Sequence, residues 1–185
     1  MKTHLAKEEI AYTGKELRSH WVLERFGLKG DAIVAFVGTC MVAGKDLVDV
    51  EDFRSGQIVA ASRMLHFIVE IFRIDLIGIV FAQRLLCSIV TELINSRLGC
   101  ARVERKGDDL FVGDGKLSVS IATVSPVSGL IHLGLNITDE GVPVKASCLD
   151  ELGVDPHELA TGVLEQFSSE VDSCFGATGK VRPVN

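Results

Sequence analysis

The chain has 185 residues, with 19 Lys and Arg, 25 Asp and Glu, and a formal net charge of −6. This acidic balance, without any run of Lys or Arg, argues against a nucleic-acid-binding surface, and the length suits one domain over residues 1–185. The most apolar stretch, Leu76 to Val90, is interrupted by Gln83 and Arg84, so we expect no membrane span. The N-terminal residues MKTHLAKEEIAY lack an apolar signal core. We therefore expect a cytoplasmic protein that binds neither nucleic acid nor membrane.

The cysteines are odd in number, widely spaced and free of any C-x-x-C pair: Cys40, Cys87, Cys100, Cys148 and Cys174. This spacing fits neither a zinc site nor a disulfide framework. Reduced thiols, mostly in the core, are the expected state. The five histidines are scattered, so we predict no structural metal.

The first half of the chain predicts a short helix or turn and several strands. The helix or turn falls between Glu16 and Arg25, before Gly27 and Gly30, and the apolar run from Ala32 to Val37 predicts a buried strand. The following stretch, Lys45 to Asp52, is expected to be a solvated loop or edge. It carries four acids: Asp46, Asp49, Glu51 and Asp52.

Two strands are predicted over Gln57–Ala61 and Met64–Phe72. Alternation in the second places four apolar residues on one face, namely Leu65, Phe67, Val69 and Ile71. The opposite face carries His66, Ile68, Glu70 and Phe72. We expect the sheet to be covered at least partly on both sides.

The second half predicts two helices and a hairpin. Apolar residues at helical spacing indicate a helix over Ala82–Leu98, with Gly99 as its C-terminal cap. The turn Gly113-Asp114-Gly115 separates strands at residues 110–112 and 117–124, and Leu130–Ile137 forms another strand. The last helix has Asp155 as N-cap, Pro156 in its first turn and Glu158 in a capping box. Its buried stripe is predicted as Leu159, Val163, Phe167, Val171 and Cys174. The fold class is α+β, a mainly antiparallel mixed sheet with packed helices.

Alternation along the hairpin strands predicts a polar sheet face. Lys116, Ser118 and Ser120 share one side of the first strand, with Ala122, and His132, Gly134 and Asn136 share one side of the second. If the strands pair, these sides merge. The face is then either an ordinary solvent-facing side of a sheet or the floor of a binding site. Small residues favour the floor, because they let a ligand approach the backbone.

The order of three motifs resembles the biotin protein ligase, lipoate ligase and octanoyltransferase superfamily. These motifs are Lys106-Gly107-Asp108-Asp109-Leu110, Gly115-Lys116-Leu117-Ser118-Val119-Ser120-Ile121 and Leu133-Gly134-Leu135-Asn136-Ile137. They are similar to the superfamily's Trp-Pro-Asn-Asp-Leu, Lys-Leu-x-Gly-Ile and Gly-x-Gly-x-Asn segments. The segment Leu149-Asp150-Glu151-Leu152-Gly153 resembles the opening of its last helix. Over its whole length the chain resembles a domain-of-unknown-function family, number three hundred and sixty-six, thought to share that class II synthetase-like fold.

The resemblance implies roles for individual residues. Lys116 matches the lysine that contacts the acyl carbonyl. Asp109 and Asn136 match the Asp and the Asn of the superfamily motifs. Two positions differ from the motifs: Asp108 stands in place of an Asn, and Ser120 in place of a Gly. Asp108 and Asp109 would hold Mg²⁺ or an amine, and ATP with Mg²⁺ would be the cofactor. The Gly-Arg-Gly-Arg nucleotide loop of biotin ligases is absent, however. Its place holds DFRSGQIVAASR, whose cations are Arg54 and Arg63.

Further candidates come from the octanoyltransferases and from the sheet floor. Cys148 lies twelve residues past Asn136, near the position of an octanoyltransferase catalytic cysteine, but without the Pro-Cys-Gly context, so a structural thiol is the alternative. His66 and Glu70 are candidate ligand contacts, or else a core histidine and a paired acid.

Two functions remain open at this point. One is an acyl- or carboxylate-handling transferase or ligase, in which Lys116 polarises the acyl carbonyl. The other is a non-catalytic small-molecule binder that has lost the nucleotide loop. The expected partners are a small carboxylate or acyl ligand, an acyl-carrier or acceptor protein, and a second copy of the chain in a homo-oligomer.

Overall fold

The computed structural model describes residues 1–184. Eight strands and five α-helices follow one another along this part of the chain. They are β1 (Lys2–Leu5), α1 (Trp21–Phe26), β2 (Ala32–Ala43), α2 (Val50–Ser55), β3 (Ile58–Phe72), α3 (Leu76–Leu98), β4 (Val103–Lys106), β5 (Asp109–Val112), β6 (Gly115–Lys116), β7 (Ser118–Val124), β8 (Ser128–Asn136), α4 (Leu149–Leu152) and α5 (Pro156–Thr178).

The strands form two sheets. The larger has the order β1-β2-β3-β8-β7, in which β1 runs parallel to β2 and the other neighbours are antiparallel. The smaller has the order β4-β5-β6. A mainly antiparallel mixed sheet with packed helices is therefore confirmed. The strands predicted at Gln57–Ala61 and Met64–Phe72 form one continuous strand, β3.

Helices α3 and α5 cover one face of the larger sheet. The aliphatic side of β3, with Leu65 and Phe67, and that of β8, with Leu133 and Leu135, lie in this core. These residues are fully buried, and burying such side chains contributes roughly 1.5–3 kcal/mol each. The predicted separation of the β3 faces is confirmed.

The other face of the sheet is covered by the N-terminal segment. Residues 6–22 contribute Tyr12 and Trp21 to a second core with Phe36 and Ile68. Consequently His66 and Glu70 are buried, with 0% and 2% exposure. This cover removes both from any open floor and favours the alternatives of a core histidine and a paired acid.

Helix α3 is longer than predicted. It begins at Leu76, where the Asp75 side chain accepts a hydrogen bond from the Gly78 amide, and it ends before Gly99 in the left-handed conformation. By length and composition alone it could cross a membrane. In the structure one side of the helix, including Leu86 and Ile94, lies in the core against the sheet, whereas Leu76, Ile77 and Phe81 are exposed.

Two other predictions need correction. The segment Lys45–Asp52 is not simply a loop, because it holds a short 3-10 turn at Gly44–Asp46 and the start of α2. Cys174 is exposed rather than part of the buried stripe of α5. The four other stripe residues are buried, namely Leu159, Val163, Phe167 and Val171.

The alternation of side chains between the two faces of the sheet is interrupted at Leu117, between β6 and β7. Leu117 lies in the helix-covered core, and Ser118 lies opposite core residue Leu135, so two consecutive residues turn to the same side. As a result Val119 lies opposite Gly134, and Ile121 lies opposite His132. The predicted face that combined Ser118, Ser120 and Ala122 with His132, Gly134 and Asn136 is therefore wrong by one residue.

Candidate functional site

A cleft runs along the end of the larger sheet beside β7 and consists of two adjoining cavities. One, the acidic lobe, has a volume of about 290 Å³. The other, the apolar lobe, has a volume of about 300 Å³. Both cavities share four lining residues: Asp52, Val59, Lys116 and Val119. Each lobe is at the small end of the range for ligand sites.

Lys116 lies at the junction of the two lobes and its backbone is held on both sides. Its amide donates to the Lys145 carbonyl at 3.0 Å, and its carbonyl accepts from the Ser147 amide at 3.1 Å. Nδ2 of Asn136 donates to the carbonyls of Lys116 and Ser147 at 3.0 and 3.1 Å. Asn136, at the end of β8, therefore fixes the position of Lys116.

The side chain of Lys116 forms an ion pair inside the cleft. Its Nζ lies 2.9 Å from Oδ2 of Asp109. An ammonium group has three donors, so two remain for a ligand after this contact. These donors can bind an anion or a carbonyl oxygen.

The acidic lobe takes its name from its carboxylates. Asp108 lies just before β5 and Asp109 is its first residue. The β2–β3 connection supplies the four others: Asp46, Asp49, Glu51 and Asp52. Asp49 caps α2 and accepts from the Glu51 and Asp52 amides. Within residues 1–184, the carboxylates of Asp46, Glu51 and Asp52 form no ion pair. This wall therefore carries uncompensated negative charge.

Asp108 is anchored at the other side of the acidic lobe. Its Oδ1 lies 2.7 Å from Nη1 of Arg84, and its Oδ2 accepts from Nε2 of Gln83 at 3.2 Å. The same Gln83 nitrogen donates to Oγ of Ser120 at 2.8 Å. Because α3 supplies both Arg84 and Gln83, this helix positions the edge of the lobe.

The apolar lobe is lined mainly by aliphatic side chains. They come from the start of β3, from β7 and from the connection after β8: Ile58, Val59, Ala60, Met64, Val119, Val142, Pro143 and Val144. The connection is tied to β3, since the amide and hydroxyl of Ser62 both donate to the Glu140 carbonyl, at 3.0 and 2.6 Å. Asn136 and Ser118 stand with Lys116 at the polar end of this lobe.

Two buried histidines lie beneath the acidic lobe. Nδ1 of His66 is 3.0 Å from Nε2 of His132, and Nε2 of His66 is 3.3 Å from the Gly38 carbonyl. A carbonyl only accepts, so Nε2 of His66 carries the proton and Nδ1 accepts from His132. Burial lowers the pKa of His66 to about 4 and that of His132 well below its ordinary value, the latter also through the nearby His66. Both rings are therefore neutral near pH 7.

Tyr12 packs against the histidine pair. Its ring stacks on His132 with centroids 3.6 Å apart and an interplanar angle of 9°. Both residues line the acidic lobe. The Tyr12 hydroxyl forms no hydrogen bond with any of residues 1–184, and burial raises the pKa of this phenol above its ordinary value. The hydroxyl is therefore a protonated and unpartnered group at the lobe.

Several predicted site residues lie elsewhere or serve the fold. Arg63 is exposed and pairs with Glu9 at 3.6 Å. Oε1 of Glu70 accepts from the His20 amide and the Ser128 hydroxyl. Gly134 is fully buried, and an added Cβ would lie 2.8 Å from Cε of Met64. The hydroxyl of Ser118 accepts from the Leu110 amide.

Cys148 does not line either lobe. Its thiol is buried at the N-terminus of α4, and burial raises its pKa. A catalytic thiol needs the opposite change, toward a thiolate. Both features favour the structural alternative for Cys148 over a nucleophile.

ATP with Mg²⁺, which the resemblance implied, does not fit this cleft. The connection that carries an Arg-rich loop in biotin ligases here faces the lobe with four carboxylates, which repel a triphosphate. Arg54 and Arg63 are exposed and line neither lobe. Asp108 and Asp109 are each paired with a cation, and no cluster of three potential metal ligands occurs within residues 1–184.

Sequence reasoning missed three parts of the site. Tyr12 is distant in sequence from the motifs, and only its parallel bridge to Cys40 brings it to the sheet. The acids at Asp46–Asp52 were expected to face solvent, and the Val142–Val144 segment carried no signal. The acidic run just before DFRSGQIVAASR was the one available sequence signal for the acidic lobe.

Comparison with known proteins identifies the relatives of the chain. The family described as "Domain of unknown function (DUF366)" matches residues 1–182. An uncharacterized protein of Methanocaldococcus jannaschii is 34% identical over all of this chain and 86% of its own length. A solved protein of unknown function from Pyrococcus horikoshi is 38% identical, with a TM-score of 0.94, over 100% of this chain and 99% of its own.

Ligases share the fold at much lower identity. The biotin protein ligase of Aquifex aeolicus in complex with biotin and ATP has a TM-score of 0.58 at 14% identity, over 91% of this chain and 70% of its own. A putative lipoate protein ligase of T. acidophilum with bound lipoic acid has a TM-score of 0.59 at 15% identity, over 93% and 86%. These likenesses establish the fold.

Proposed function

Starting from the fact that this chain belongs to the DUF366 family and has the biotin/lipoate ligase fold, we propose that it binds a small carboxylate or acyl compound without using ATP. The apolar lobe holds the chain of the ligand, and Lys116 contacts its carboxylate or carbonyl oxygen. The observation that carries this proposal is the position of Lys116 at the polar end of an aliphatic cavity, with its backbone fixed by Asn136.

The charge distribution supports a binder over an ATP-dependent ligase. A ligase would need cations for the nucleotide phosphates, whereas the acidic lobe presents carboxylates at that side of Lys116. A single carboxylate in the apolar lobe, by contrast, faces an ammonium that has free donors. Two solved proteins with this fold contain biotin or lipoic acid by their descriptions, and both compounds join a carboxylate to an apolar body.

Isothermal titration with octanoate, lipoate and biotin tests the proposal. At least one of these is expected to bind without nucleotide, and added ATP–Mg²⁺ should leave its affinity unchanged. A ligand at a hundred times its Kd should also raise the free energy of unfolding by about 2.7 kcal/mol. Binding that requires ATP–Mg²⁺ would contradict the proposal and favour a ligase.

A pair of variants tests the location of the ligand. Val142→Asp places a charge in the apolar lobe and should abolish binding of the carboxylate. Val127→Asp makes the same change at a residue that is 49% exposed and lines neither lobe, so it serves as the control. Equal affinities in the two variants would place the ligand outside the apolar lobe.

An acyltransferase that uses an already activated acyl donor is the second candidate. The observation in its favour is that two adjoining cavities meet at Lys116, which leaves room for a donor and an acceptor. An acyl-carrier or acceptor protein would then be the partner, in a reducing, cytoplasmic compartment that suits the five free thiols. Incubation with an octanoyl thioester and a primary amine, followed by mass spectrometry, detects the amide if this reaction occurs.

A further inference from the structure

We propose that the acidic lobe binds a flexible organic cation with two or more ammonium groups, of the diamine or polyamine class. This inference goes beyond the proposed carboxylate site and does not depend on it, because the two ligands occupy different lobes. It is carried by two independent features of the lobe, the unpaired carboxylates and the Tyr12 hydroxyl.

The unpaired carboxylates define the charge of the ligand. Asp46 and Asp52 are half-buried, line the lobe and form no ion pair or side-chain hydrogen bond within the described residues. Lys116, the cation of this lobe, is already held by Asp109 at 2.9 Å. A positively charged group that enters the lobe therefore meets carboxylates that need compensation, whereas an anion meets repulsion.

The Tyr12 hydroxyl indicates that a specific polar group is bound. Tyr12 is only 4% exposed, and its backbone is fixed against β2 by two hydrogen bonds with Thr39 and Met41, of 2.8 and 3.0 Å. Its ring is held against His132, so the hydroxyl stays at the acidic lobe, which Tyr12 lines. A tyrosine that is buried to this extent normally has a partner for its hydroxyl, and in this lobe a ligand N–H fills that role.

The spacing of the acids favours an organic cation over a metal ion. Within residues 1–184 no three Asp, Glu, His or Cys side chains come close enough together to hold a metal. Carboxylates that are spread along α2 and its preceding turn suit ammonium groups separated by a methylene chain. A lobe of about 290 Å³ accommodates a molecule of the size of putrescine or spermidine.

Titration calorimetry of the intact chain with putrescine and spermidine, without any carboxylate ligand, tests this inference. Spermidine should bind more tightly than putrescine, and Mg²⁺ at the same concentration should not compete. Tyr12→Phe keeps the stacking on His132 and should weaken binding roughly tenfold, because hydrogen bonds to charged groups contribute about 1.5–3 kcal/mol.

Matched charge variants distinguish a specific binding site from nonspecific attraction between the cation and the acidic protein. Asp46→Asn/Asp52→Asn should weaken spermidine binding at least about tenfold, while Glu165→Gln/Glu170→Gln, with the same change in net charge on exposed α5 positions, should not. Absence of binding, equal effects of the two double variants, an unchanged Kd in Tyr12→Phe, or competition by Mg²⁺ would each overturn the inference. Octanoate titration of the single variant Asp46→Asn, at a residue that lines the acidic lobe and not the apolar one, keeps this outcome separate from that of the carboxylate site.

Discussion

Lys116 and Asp109 form an ion pair of 2.9 Å at the point where the acidic and apolar lobes meet. Their side chains are 32% and 30% exposed, so the pair is shielded but still open to a ligand. Asp109 opens β5 and Lys116 closes β6, and these strands are neighbours in the smaller sheet. The sheet thereby presents one oriented ammonium group to both lobes.

Removing this ammonium should weaken carboxylate binding. We expect Lys116→Gln to raise the Kd of the carboxylate that binds wild type by about 10- to 100-fold. This change corresponds to the free energy of one hydrogen bond to a charged group. Lys145→Gln is the control, because Lys145 is exposed and pairs only loosely with Asp114, at 3.5 Å. Calorimetry of both variants measures the difference, and a Lys116→Gln protein with wild-type affinity would exclude Lys116 from the site.

Asn136 should act on the site through Lys116 and on stability directly. Asn136→Ala removes a partly buried hydrogen bond to the carbonyl of Lys116 and a buried one to that of Ser147, so we expect a loss of about 1–3 kcal/mol in the free energy of unfolding. Urea unfolding measures this loss. A stability within about 0.5 kcal/mol of wild type would show that these bonds do not hold the junction.

The buried histidines should make the fold sensitive to mild acid. The unfolded chain takes up a proton at His66 near pH 6.5, whereas the folded chain does so only near pH 4. Stability from this residue is therefore complete above about pH 6.5 and falls as the pH drops toward 4, by an amount on the order of 3 kcal/mol.

A histidine variant isolates this contribution from the carboxylates. In His66→Gln the amide can still donate to the Gly38 carbonyl, but the position no longer titrates. The slope of unfolding free energy against pH between 4 and 6.5 should be smaller in the variant than in wild type. Parallel profiles would mean that His66 is not the group responsible.

Gly38 should tolerate no side chain, because the N-terminal segment crosses it closely. An added Cβ would lie 1.8 Å from the Ile10 carbonyl oxygen, and this oxygen belongs to the backbone, which cannot move aside easily. Gly38→Ala should cost about 1–3 kcal/mol or more and loosen the cover over His66. Gly176→Ala in α5 has open space around it and should be neutral or stabilising. Thermal unfolding compares the two.

Local patterns in the sequence were sufficient to predict much of the fold. The aliphatic faces of β3 and β8 and the cap of α3 at Gly99 follow from periodicity and from residues that favour particular backbone conformations. The position of Lys116 relative to the serines did not follow, because the smaller sheet turns the chain at Leu117 and shifts the alternation by one residue. A strict two-residue period cannot anticipate such a break.

The arrangement of the site could not be predicted from local patterns, because it depends on contacts between distant parts of the chain. Tyr12 reaches His132 across 120 positions of sequence, and the acids of the β2–β3 connection face the lobe only because α2 folds against it. The resemblance to ligases indicated the fold and the position of Lys116. It also implied a nucleotide, which the charges of this connection disfavour.

A crystal structure with the bound carboxylate would show whether Lys116 holds it. The carboxylate oxygen should lie within about 3 Å of Nζ of Lys116, with the apolar body between Met64 and Val142 and with no nucleotide needed for binding. A ligand found elsewhere, such as the apolar groove between α3 and α5 that is lined by Phe81 and Phe175, would contradict this expectation, as would a carboxylate turned away from Lys116.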